Sequence, residues 1–155
     1  MFSALRCVAL AATLLALVTG SARAQDGNIK VTVVAILGTD KNTHCCPELK
    51  DIAQELKKKN PKLTGFTLER STCKSMKIGE KDLIHLVDKE FVEVKLRVKD
   101  DTTNRVTLTL KPPTMGEMEI KTCCGKYFPL FTGYRTKDKD EVLIIAVMVK
   151  PCMKK

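Results

Sequence analysis

Glu141-Val142-Leu143-Ile144-Ile145-Ala146-Val147-Met148-Val149 is the stretch on which the fold turns. After the glutamate come eight apolar residues in a row, closed by Lys150 and Pro151. A helix needs about 20 apolar residues to cross a bilayer, so this run is too short to do so. Val, Ile and Met dominate it, and such residues favour a strand over a helix. Unbroken apolarity means that both faces of the strand are covered. The run is therefore expected to be the central strand of a sheet, with the other strands assembled beside it.

Those other strands are read from the rest of the chain. Ile29 to Leu37 alternates at its start and turns fully apolar at its end, as a first strand does. Pro47 to Lys59 is the one helix the pattern supports, because Leu49, Ile52, Ala53 and Leu56 fall on one face. Pro47 suits a first helical turn. Glu48 and Asp51 at the start, and Lys57, Lys58 and Lys59 at the end, match the helix dipole. Asn60-Pro61 stops the helix. Leu63 to Cys73 is a second strand, Lys77 to Glu80 a turn, and Asp82 to Val87 a short strand. Phe91 to Val98 alternates cleanly: Val92, Val94, Leu96 and Val98 are expected on one face, Glu93, Lys95 and Arg97 on the other. Val106, Leu108 and Leu110 resume the pattern after a hairpin loop at residues 100–104, so these two strands pair. Met118 and Ile120 mark a further short strand, and Cys123 to Tyr134 reads as irregular but apolar. The order strand, helix, strands implies an α+β domain. It comprises a single mostly antiparallel sheet, an N-terminal β-α-β unit with a right-handed crossover, and one amphipathic helix packed on the sheet.

Residues 1–24 stand apart from that pattern. Arg6 precedes the apolar run Val8 to Val18, and Ala22-Arg23-Ala24 follows it. A charged start, a short apolar middle and an Ala-x-Ala exit form a secretory signal peptide. Residues 25–155 are then a single exported domain, secreted or periplasmic, with no transmembrane segment once the leader is removed. The chain carries a net charge of +9. Outside the cytoplasm, a basic surface favours a protein partner or an anionic envelope polymer. Nucleic acid is not expected: export removes the target, aromatic residues are few and Trp is absent.

Six cysteines follow the leader: Cys45, Cys46, Cys73, Cys123, Cys124 and Cys152. An even number in an exported chain reads as disulfides, and 15 pairings are open to six cysteines. Bonds between the adjacent pairs would strain the intervening peptide, so each partner is expected elsewhere. Two other chemistries use the same sulfurs. His44-Cys45-Cys46-Pro47 leads from a strand into a helix, a placement that favours thiolates. It superficially resembles the thioredoxin arrangement, but that family carries Cys-x-x-Cys and further helices. His44, Cys45, Cys46, Cys123 and Cys124 are also soft ligands suited to zinc or copper, although adjacent ligands face one ion only in bent loops.

Other routes to catalysis lack their residues. His44 and His85 are the two histidines, and neither stands in a His-Glu-x-x-His pattern. No Gly-x-Ser-x-Gly elbow surrounds Ser71 or Ser75, and no glycine-rich loop is placed to cradle phosphate. The reading is a non-enzymatic domain without a cofactor. Lys126, Tyr127, Phe128, Phe131, Tyr134 and Arg135 gather rings and cations in one stretch and are read as a possible contact surface. Asn60-Pro61-Lys62-Leu63-Thr64-Gly65-Phe66, Val87-Asp88 and the run Glu141 to Met148 resemble a pattern of small exported bacterial proteins of uncharacterised activity. The resemblance implies an exported α+β domain and no activity. The sequence thus points to an exported binding or structural domain supported by disulfides, with thiol redox or Zn/Cu binding as the alternative.

Overall fold

A computed structural model describes residues 28–100 and 102–150. The stretch read as a leader (residues 1–24) and Cys152 lie outside the described residues. The order of elements is β1 (Ile29–Thr39), a 3-10 turn (Pro47–Leu49), α1 (Lys50–Lys59), β2 (Gly65–Met76), β3 (Lys81–His85), β4 (Phe91–Asp100), β5 (Arg105–Lys111), β6 (Met118–Cys123), β7 (Phe128–Arg135) and β8 (Val142–Lys150).

The strands form two four-stranded antiparallel sheets among the described residues, not one. The first has the order β2-β1-β8-β7 and the second the order β3-β4-β5-β6. The domain is therefore mostly β, which corrects the α+β expectation of a single sheet. The β-α-β crossover is absent too. β1 and β2 pair antiparallel despite the helix between them, with Ile29 opposite Met76 and Thr39 opposite Gly65. Local sequence carries apolar period but not strand direction, so a helix-length connection served an antiparallel return as well as a parallel crossover.

Side-chain alternation explains the layers. Val31, Val33, Ala35 and Leu37 of β1, with Leu143, Ile145, Val147 and Val149 of β8, face the second sheet. They meet Val92, Val94, Leu96, Val106, Leu108 and Leu110 in the main core. The alternate residues Val34, Ile36, Ile144 and Ala146 face the other way, onto Leu49, Ile52, Ala53 and Leu56 of the helix segment. β1 and β8 are the two inner strands of a sheet that is sandwiched between the second sheet and a helix, hence their unbroken apolarity. The helix covers only the first sheet. The outer side of the second sheet meets water.

β7 occupies part of the stretch read as irregular. Pro129 and Gly133 blur its period. Pro is tolerated because β7 is an edge strand. Its register with β8 slips between Phe131 and Arg135.

Candidate functional site

The water-facing side of the second sheet is built by register. Lys81, Leu83 and His85 alternate with the buried Ile84 on β3. Glu93, Lys95 and Arg97 alternate with Val92, Val94 and Leu96 on β4. Lys81 stands opposite Lys95, which stands opposite Thr109, which stands opposite Glu119. Glu93 stands opposite Lys111, and Thr107 opposite Lys121. Among the described residues this face holds six cations (Lys81, Lys95, Arg97, Arg105, Lys111, Lys121) against three carboxylates (Glu93, Asp100, Glu119). Thr107 and Thr109 form its floor and are buried under the longer side chains around them.

One break in the register reshapes this face. Between Leu96 and Val98 the pairing with β5 slips, so that Val98 stands opposite Thr107. The extra residue turns Val98 outward, and it is 57% exposed. This corrects the expectation that Val98 shares the buried face of Val92, Val94 and Leu96. A bulge inserts one residue and so reverses the sidedness of everything after it. Arg97 then donates from Nε to Thr109 Oγ1 at 2.8 Å. Leu83 at 62% exposure and Phe91 at 48% add apolar points at the far end of the same face. Phe91 rests against the His85 ring, with centroids 5.0 Å apart. Lys81 pairs with Glu93 at 3.4 Å, while Lys95, Lys111 and Lys121 form no ion pair among the described residues.

The residues singled out by sequence are scattered by comparison. Cys45 and Cys46 lie beside β2: Cys46 N–H donates to Phe66 O at 3.2 Å and Phe66 N–H to His44 O at 2.7 Å. Cys73 is exposed on β2, where the Thr32 hydroxyl donates to its sulfur at 3.6 Å. Cys123 ends β6 opposite Arg105, in the other sheet. Cys45, Cys46, Cys73 and Cys123 are free thiols, and no disulfide joins two of the described residues. This corrects the expected scaffold of disulfides among them; an even count carries no information on which sulfurs meet. Cys124 is disulfide-bonded. Among the described residues no group of three or more His, Cys, Asp or Glu is placed to hold a metal ion. His44, Cys45 and Cys46 are thus not brought together with Cys123 and Cys124 as a ligand set.

The aromatic stretch is divided by its own strand. Phe128 and Tyr134 pack toward the main core, while Tyr127 and Phe131 pack on the helix side. Lys126 and Tyr127 line a cleft of ≈ 620 Å³ beside Asp51 and Glu55. Burial, and then the nearby Cys73, push the Tyr127 phenol up. Arg135 pairs with Asp140 at 3.3 Å. Two of the rings thus pack toward one layer and two toward the other.

No role for the water-facing side of the second sheet follows from the sequence alone. The signal available was the outward set Glu93, Lys95, Arg97 on β4. The contributions of Lys81, Lys111 and Lys121 depend on strand pairing. Among the described residues no helix is long and apolar enough to cross a membrane. No protein-family model, curated protein or solved structure matches this chain.

Proposed function

We propose that this chain is an exported, non-enzymatic binding domain whose working surface is the water-facing side of the second sheet. Its partner is an anionic envelope polymer. One observation carries the reading: six cations stand against three carboxylates on a single face, and three of the lysines have no ion pair among the described residues. Such an excess attracts a polyanion and loses that attraction as salt screens it. The exposed Leu83, Phe91 and Val98 supply apolar contact that does not fade with salt. Export rests on the leader pattern in residues 1–24.

Retention of the protein on immobilised polygalacturonate and polyphosphate, at rising NaCl, tests the proposal. The protein is expected to bind at least one of the two at low salt and to elute as salt rises. A variant with Lys95, Lys111 and Lys121 changed to Glu should lose binding by at least about tenfold while keeping its melting temperature. Equal binding by that variant, or no binding by the unchanged protein at low salt, would refute the assignment of this face.

A further inference from the structure

We infer that the bulge at Arg97 is a subsite for a sugar acid, so that the polymer taken by this face is an acidic polysaccharide. The inference rests on the reading of the face as a polyanion surface. The bulge places Arg97 and Val98 side by side on the water side, at a cleft of ≈ 760 Å³ that Lys99, Asp100, Thr107, Glu119 and Lys121 also line. Asp100 spends both carboxylate oxygens on Thr102 and Thr103 of the hairpin loop, which leaves Glu119 as the carboxylate open to a ligand. Arg97 is held before any ligand arrives, because its Nε is committed to Thr109 Oγ1. Its two terminal amino groups remain as a planar pair of donors, the geometry that grips an acid group through both oxygens. A side chain already ordered loses less freedom on binding than a mobile lysine. Exposed Val98 offers an apolar patch to the C–H side of a ring.

Glu119 decides the class of polymer. It stands opposite Thr109, exposed, and no ion pair holds its carboxylate among the described residues. A chain with a charge on every unit and no hydroxyls, such as polyphosphate, meets repulsion there. A uronic acid unit instead carries one acid group and several hydroxyl donors. The acid group fits Arg97 and Lys121, and a carboxylate is the stronger acceptor for a hydroxyl. Cation and acceptor side by side are thus matched to a polymer that carries both an anion and hydroxyls on each unit.

Titration calorimetry of the full chain with polygalacturonate oligomers and with polyphosphate, at equal charge concentration and moderate salt, tests this. Polygalacturonate is expected to bind about tenfold more tightly. Arg97→Lys keeps the charge but loses the paired donors; it should weaken polygalacturonate about tenfold and leave polyphosphate within about twofold. Glu119→Ala should collapse the preference between the two polymers, whatever it does to either affinity alone. If polyphosphate is preferred, or both variants keep the polygalacturonate preference, the subsite is wrong while the polyanion face stands. If neither polymer binds the unchanged protein at low salt, the face itself is wrong and the subsite falls with it.

Discussion

Tyr134 donates its phenolic hydrogen to Asp88 Oδ2 at 2.8 Å, and that bond joins strand β7 of the first sheet to the β3–β4 turn of the second. Asp88 sits at a positive φ of 50°, and its carbonyl lies 2.7 Å from His85 Nε2. The bond to Asp88 pushes the Tyr134 pKa up to about 12, with burial and the charges of Asp88 and Glu90 adding to it. A tyrosine in an unfolded chain titrates at about 10. The folded value is the higher one, so the stabilisation is complete below pH ~10 and drains away as pH climbs toward about 12. Urea denaturation at a series of alkaline pH values should show this loss, and Tyr134→Phe should flatten it. Parallel curves for the two proteins would show that the bond does not contribute. A tyrosine's capacity to donate was legible in the sequence. Its partner was not, since Asp88 lies 46 residues away and the fold alone brings them together.

Strands differ in how openly they declare themselves. β8 read correctly as apolar on both faces, and β1 as fully apolar at its end, because these stretches are covered twice, by the second sheet and by the helix. The helix declared itself through Leu49, Ile52, Ala53 and Leu56, all of which are buried. Val98 misled, because a bulge is invisible to a period of two: the residue types before and after it look alike. β7 was missed for the reverse reason, since Pro129 and Gly133 resemble loop residues when the edge position that tolerates them is unknown. The difference in burial sets the energetic scale. Ile145→Ala leaves a cavity in the main core and should cost about 2 to 5 kcal/mol. Val98→Ala, on the outer side of the bulge, should stay within about 0.5 kcal/mol. Chemical denaturation midpoints measure both, and equal losses would place Val98 back in the core.

The assembly of two sheets was the part least accessible from composition and period. Six sulfurs and a basic charge describe an inventory; which of them become neighbours depends on the antiparallel pairing of β1 with both β2 and β8. That same pairing governs how the molecule bears load. Lys30 stands opposite Lys150, so the start of β1 and the finish of β8 lie together at one pole. Tension applied through these two residues peels the strands apart one rung after another, because each pair is loaded only when its predecessor has opened. Pulled instead through Thr39 and Lys150, the rungs between the strands are strained simultaneously and in shear. Optical-trap extension should therefore find the sandwich yielding at distinctly lower force in the first geometry, like a zip drawn from its slider.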